Sequence, residues 1–182
     1  MSAARALPDL TRAEDYLAWV WTQPYKFETI LGRIVMMAGG KRNHAIISLN
    51  ASAGLLSRLA GTGCRAFGSD FLVQIDVNNR YFPDASVACG EMRDFTDRPV
   101  MVVEVLSPST MREDLGPKLS NYLRIPGLRY VLCLWQDEPL ARLWEPGAEP
   151  RDIVGLDGIV ELPALGIDLP MAELYRDVTF DS

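Results

Sequence analysis

Only one histidine, His44, occurs in the 182 residues, with three cysteines, Cys64, Cys89 and Cys133. A single imidazole leaves a His-rich metal centre, and most serine or cysteine triads, without the groups they need. The cysteines are odd in number, far apart and form no CxxC pair. That argues against a zinc knuckle or a disulfide scaffold and fits a reducing cytosol. No run of eighteen apolar residues is present, so no membrane-spanning helix is expected. The first residues lack the apolar core of an export signal, and a cytoplasmic location is expected. Neither GxGxxG nor a GKS or GKT triplet occurs, so Gly39-Gly40 reads as a break in a strand. Basic excess is missing too: 18 Lys+Arg against 24 Asp+Glu leave a net charge of −6. This counts against tight non-specific binding of nucleic acid unless a basic patch is local. It does not count against an enzyme that neutralises phosphate with a metal ion.

What is present is a chain with enough apolar residues, 48 %, for a core of ordinary size. Residues 1–24 read as an N-terminal helical segment and 25–182 as one domain. Leu10 to Trp21 gives a short helix that Thr11 can cap, with Leu10, Tyr16, Leu17 and Val20 on its apolar face. Tyr25–Ile30 and Arg33–Ala38 pair as a hairpin about Leu31-Gly32. Asn43 suits the N-cap of a helix reaching about Leu59, with Ile46, Leu49, Ala53, Leu56 and Ala60 as its buried face. Strands are expected at Cys64–Phe67, Phe71–Val77 and Arg80–Ala88, with a turn at Asn78-Asn79. Val100–Leu106 is a buried strand, followed by a helix capped by Ser109 or Thr110 and running to about Arg124. Its stripe is Leu115, Leu119, Tyr122 and Leu123. Arg129–Trp135 is the next buried strand, with Ala141–Glu145 as its antiparallel partner. Short strands near Ile153 and Ile159 and a helix from about Met171 to Tyr175 close the chain. The strand–helix–strand step predicts a right-handed parallel crossover, and the hairpins an otherwise antiparallel sheet. The fold class is α/β with a central mixed sheet.

Glu104 interrupts the apolar run of Val100–Leu106. A carboxylate buried there costs several kcal/mol unless a cation, a metal or good donors compensate it, so it marks a site. Asp84 is a second acid in an apolar strand. If the two strands are neighbours, both carboxylates can converge, and converging carboxylates stay ionised only beside a cation. Oxygen ligands without His or Cys select Mg2+ or Mn2+. The plain alternative for Asp84 is a surface acid beside a Pro turn. Lys118 lies at the edge of its helix's apolar stripe, where a long side chain can return its ammonium to the acids. A surface lysine paired with Asp114 is the competing reading. Glu28, in the first hairpin strand, is a candidate third acid or an exposed alternate position. His44 starts the second helix and can reach a phosphate or water, or face solvent. Ser107 and Ser109 lack a base partner and suit turn and cap roles. Trp19, Trp21, Trp135 and Trp144 read as core or interface residues.

Taken together, YFPDASVACG, PVMVVEVLSPST, then Asp114, Lys118 and Tyr122, then IPGLRYVL, resemble the Uma-type restriction endonuclease family of the PD-(D/E)xK nuclease superfamily. FETILGRIVMMAGG and NHAIISLN resemble its start, so the likeness covers about residues 25–145. The resemblance implies a restriction-endonuclease-like fold and metal-dependent phosphodiester hydrolysis. It implies Asp84 and Glu104 as metal ligands, joined by the backbone carbonyl of Val105, with Glu28 as the acid from the N-terminal region. The superfamily lysine usually stands two residues after the second acid, where this chain has Leu106. In this family a lysine on the following helix is thought to substitute, which is Lys118. Arg33 departs from the acid the family often carries there.

The resulting expectation is a Mg2+- or Mn2+-dependent endonuclease acting on nucleic acid, DNA first, as a homodimer without membrane association. Asp84 and Glu104 hold the ion, Lys118 assists the attacking water, and Glu28 and His44 are auxiliary. The alternative is a nucleic-acid-binding or regulatory protein that keeps the fold without turnover. A hydrolase of small phosphate esters is a third possibility.

Overall fold

The computed structural model describes residues 10–37, 39–91, 93–108 and 111–180. Its centre is a six-stranded sheet. In chain order its strands are β3 (Cys64–Gly68), β6 (Ala85–Cys89), β8 (Met101–Leu106), β9 (Tyr130–Trp135), β10 (Leu140–Trp144) and β11 (Arg151–Val154), and in space they run β11-β10-β9-β8-β6-β3. The β8–β9 pair is parallel and the others are antiparallel, as the crossover and the hairpins predict. A second sheet has the order β2-β1-β5-β4-β7. It contains the hairpin β1 (Phe27–Ile30) and β2 (Arg33–Met36), then β4 (Leu72–Asp76), β5 (Asn79–Tyr81) and β7 (Phe95–Thr96). Leu31 and Gly32 at the hairpin tip both have positive φ, as a two-residue turn matched to strand twist requires. A small ribbon of β12 (Ile159–Leu162) and β13 (Ile167–Pro170) completes the strands.

Every residue of β8 is buried, so the strand alternates faces without alternating polarity. Met101, Val103 and Val105 pack with Ile47, Ala51 and Leu55 of α2 (Arg42–Arg58), with its C-cap Leu59, and with Met171 and Leu174 of α5 (Met171–Leu174). Val102 and Leu106 look the other way, into a cluster with Ile30, Val73, Tyr81, Leu119 and Tyr122. By the strand's period of two, Glu104 belongs to that second face. The N-terminal helix α1 (Ala13–Val20) buries Tyr16, Leu17 and Val20 against Leu72, Phe82 and Phe95. Arg80, fully buried, donates to the carbonyls of Leu10 and Thr11 and fixes the approach to α1.

Several expectations are corrected. The buried face of α2 is Ile47, Ala51 and Leu55, while Leu49 is 68 % and Leu56 58 % exposed. Two stripes one residue apart both satisfy helical spacing, and the contacts with β8 decide between them. Asn43 does not cap that helix: its side-chain amide donates to the carbonyls of Gln136 and Thr179. Thr11 is likewise not the cap of α1, whose N-cap is Arg12. The predicted strand Arg80–Ala88 is two strands in different sheets, because Pro83 offers no N–H to a ladder. The helix before Arg124 is broken into α3 (Met111–Glu113), a kinked stretch (Asp114–Lys118) and α4 (Leu119–Tyr122), the kink falling at non-helical Gly116 beside Pro117. The predicted cap at Ser109 or Thr110 and the strand end at Ala38 lie outside the described residues. Finally, Cys64 and Cys89 form a disulfide across β3 and β6, which face each other in register, while Cys133 is free and buried. Spacing along the chain hid a pairing that sheet register creates, and the cysteines no longer speak for a reducing compartment.

Candidate active site

The site lies where the two sheets meet. β5 ends at Tyr81 in one sheet and β6 begins at Ala85 in the other, so Phe82-Pro83-Asp84 is the crossing. In the β6–β8 ladder Ala85 faces Val103, which sets Asp84 beside Glu104 one step on. The Val105 N–H donates to Asp84 Oδ2 at 2.7 Å. Glu28 comes from β1, and the Phe82 N–H donates to its Oε1 at 2.7 Å. Each of these two acids is therefore anchored through backbone outside its own strand.

Lys118 follows a kink in the helix at Gly116-Pro117, where Gly116 has φ −101° and ψ −109°, outside the helical region. Lys118 is 4 % exposed. Its Nζ lies 2.9 Å from Glu104 Oε1, 3.3 Å from Glu28 Oε1 and 3.3 Å from Asp114 Oδ1. The Tyr122 hydroxyl donates to the same Glu104 oxygen at 2.8 Å. The two readings of Lys118 are thus both present: it pairs with Asp114 one turn back and also reaches the acids. Glu28 is buried, so the exposed alternative for it is excluded.

On the other side, His44 Nε2 stands 3.4 Å from Asp84 Oδ2, and Ser48 Oγ lies 3.5 Å from His44 Nδ1. His44 turns to the site rather than to solvent. The ring has room because position 40 is glycine: a Cβ there would sit 2.6 Å from His44 Nδ1. Residue spacing alone could have offered Ser48, one helical turn after His44, as it did Asp114, one turn before Lys118. Gly40 carried no such signal, since its role is the absence of a clash.

Burial raises the pKa of Glu104 well above the usual carboxylate range; Lys118 opposes this, and Asp114, Asp84 and Glu28 add to it. Burial also raises Asp84, against His44 and the Val105 N–H. For Lys118, burial would lower the pKa, but Glu104, Glu28 and Asp114 together lift it well above the ordinary lysine value. Three carboxylates thus surround one ammonium, with Asp84 nearby, and the excess negative charge adds to burial in pushing Glu104 toward its protonated form. An all-oxygen donor set with surplus negative charge fits a hard divalent cation, Mg2+ or Mn2+. Among the described residues, however, no three His, Cys, Asp or Glu stand as a ready metal cluster. Asp84, Glu104, Val105, Glu28, His44 and Lys118 all line one open cleft of about 1330 Å³.

Comparison with known proteins bears on the family and the fold. A sequence profile of the Uma2 family, described as "Putative restriction endonuclease", matches residues 13–172. The uncharacterized protein slr1290 of Synechocystis is 32 % identical over 176 residues, covering 92 % of each chain. A second Synechocystis protein, sll1609, is 31 % identical over 139 residues, covering 72 % of this chain and 78 % of its own. A crystal structure from Anabaena variabilis, described as a "putative nuclease belonging to DUF820", superposes with a TM-score of 0.70. It is 20 % identical and covers 87 % of this chain and 96 % of its own, which establishes the shared fold.

Proposed function

The chain belongs to the Uma2 restriction-endonuclease-like family, and from that premise we propose that it hydrolyses phosphodiester bonds in nucleic acid with a divalent metal ion. The observation that carries this reading is that Asp84 and Glu104, side by side on neighbouring strands, line one cleft with Lys118, whose ammonium touches Glu104. Asp84, Glu104 and the Val105 carbonyl would hold Mg2+ or Mn2+. When bound, such an ion supplies a water of lowered pKa and polarises the phosphate. Lys118 keeps its proton at neutral pH and stands where it can orient that water or hold the charge that develops on phosphate. Tyr122 and the Val105 N–H fix the carboxylates' rotamers, which limits the reorganisation the reaction needs. His44 steadies the second oxygen-bearing wall at Asp84.

Asp84→Asn and Glu104→Gln each keep the side-chain volume and are expected to retain the fold while losing Mn2+-dependent cleavage of DNA by at least about a hundredfold. Cleavage undiminished in both variants would overturn the assignment. A second reading, a nucleic-acid-binding protein without turnover, is favoured by one observation: Glu104 Oε1 is already engaged by both Lys118 and Tyr122. Calorimetry with Mn2+ separates the two, since the second predicts no metal binding that depends on Asp84. Activity on mononucleotides but not on polymers would point instead to a phosphate-ester hydrolase.

A further inference from the structure

We propose that this cleft takes an unpaired nucleic-acid strand, its bases packed against apolar walls, rather than an intact duplex; the inference rests on the nuclease reading above. The walls are the reason. On one side is the hairpin. Val35 is the direct cross-strand partner of Glu28, so it shares the face of that site acid. Val35 is half-exposed, and Leu31 and Met36 beside it are 64 % and 55 % exposed; all three line the cleft. On the other side is α2. Its His44–Ser48–Ser52 stripe borders the carboxylates, and Ala45 and Leu49 form the next stripe outward, both lining the cleft. Large exposed apolar side chains therefore flank the acids from two directions.

Cations are few where a duplex would need them. Lys118 is enclosed by three carboxylates. Lys26 donates to the Ser69 carbonyl at 2.7 Å and pairs with Asp70. Among the described residues of the lining, Arg33 is the remaining basic side chain besides His44, against Glu28, Asp84, Glu104, Glu113 and Asp114. Duplex binding draws its affinity from many phosphate contacts by Lys and Arg, and this lining does not supply them. A single strand offers something a duplex keeps hidden, namely the flat faces of its bases. Such faces can be buried against apolar side chains without base-specific hydrogen bonds, and methionine adapts its shape to them. The strand's phosphate is then presented to the acidic floor. A second copy of this chain seated on the same walls would close the cleft over the carboxylates, which the proposed reaction must keep open.

The test measures fluorescence anisotropy with Ca2+ in place of Mn2+. The probes are one labelled oligodeoxynucleotide, free or annealed to its complement, and the RNA of the same sequence. The free strand is expected to bind at least about tenfold more tightly than the duplex. The Met36→Asp/Leu49→Asp double variant is expected to lose that preference while its melting temperature stays unchanged. Both substitutions fall on exposed positions, so the fold is not at stake. Equal or tighter duplex binding overturns the inference, as does a double variant that still prefers the strand. A double variant that turns a native dimer into a monomer in sedimentation also overturns it, because the walls are then a subunit contact. The DNA and RNA arms identify the sugar. Duplex cleavage that depends on Asp84 with no strand preference removes this inference alone, whereas absence of cleavage on every probe removes the nuclease reading beneath it.

Discussion

Lys118 Nζ sits 2.9 Å from Glu104 Oε1, and both side chains are almost fully buried. Removing one partner from such a pair leaves uncompensated charge in the interior, which typically costs about 3–5 kcal/mol. Lys118→Met is therefore expected to lower the urea midpoint and to abolish cleavage. The loss should be larger at pH 8 than at pH 5, because at lower pH the surrounding carboxyls can take up protons and relieve the repulsion. A pH-independent loss of stability in this variant would contradict the charge account.

Gly40 makes room for His44. In Gly40→Ala the new Cβ would stand 2.6 Å from the ring nitrogen and 3.2 Å from His44 Cβ, so the ring must leave Asp84. Gly40 does not have positive φ, so backbone strain adds nothing. Mn2+ affinity is expected to fall by about tenfold, the scale of losing an outer partner of a ligand. Gly39→Ala is the control, since nothing lies within 4 Å of the added carbon. NMR of the single imidazole should shift in the first variant and not in the second.

The Cys64–Cys89 disulfide spans a sequence separation of 25 residues. A loop of that length stabilises the folded state by about 3.5 kcal/mol in the chain-entropy account. Dithiothreitol is expected to lower the urea midpoint of the native protein and to leave that of the Cys64→Ser/Cys89→Ser variant where it is. Thiol titration in denaturant without reductant should find Cys133 alone.

Alkaline pH should unfold the protein through its buried phenols. Burial raises Tyr16 and Tyr81 to about 12 each, from an ordinary value of 10.0. Tyr122 is raised further by burial and by Glu104. Above pH 10 the unfolded chain loses phenolic protons that the folded one retains. Stability is therefore fully present below pH 10 and falls between pH 10 and 12, by an amount on the order of 2 kcal/mol per phenol. Lys118 acts with the same sign, because its folded pKa is also raised. Urea midpoints taken from pH 8 to 12 should be flat and then fall, and Tyr16→Phe should make the fall shallower.

The acids were legible in the sequence because an ionisable residue in an apolar strand is costly and therefore conspicuous. Glu104 stood out by itself and Asp84 as a second acid in an apolar strand, while Lys118 was singled out by its place at the edge of the helix stripe and by the family resemblance. The crossover between β8 and β9 and the hairpin of β1 and β2 were legible for similar local reasons, hydrophobic runs bounded by turn residues. The face of α2 was not. Ile46, Leu49, Ala53, Leu56 and Ala60 keep helical spacing as well as Ile47, Ala51, Leu55 and Leu59 do, and only the sheet beneath selects the second set. The disulfide was not legible either, since it arises from the register of β3 on β6.

By itself, then, the sequence determined which strands are buried, that a carboxylate lies in the central one, and which family the chain resembles. These are properties of composition and spacing along one segment at a time. Tertiary structure decided the rest: that Pro83 sends the chain from one sheet to the other and so delivers Asp84, and that Lys118, after the kink at Gly116, reaches Glu104 and Glu28. It also placed His44 against Asp84 through the space left at Gly40, and set apolar walls on both sides of the acids. Each of these depends on two segments meeting at a fixed distance and angle, and linear spacing does not carry that information.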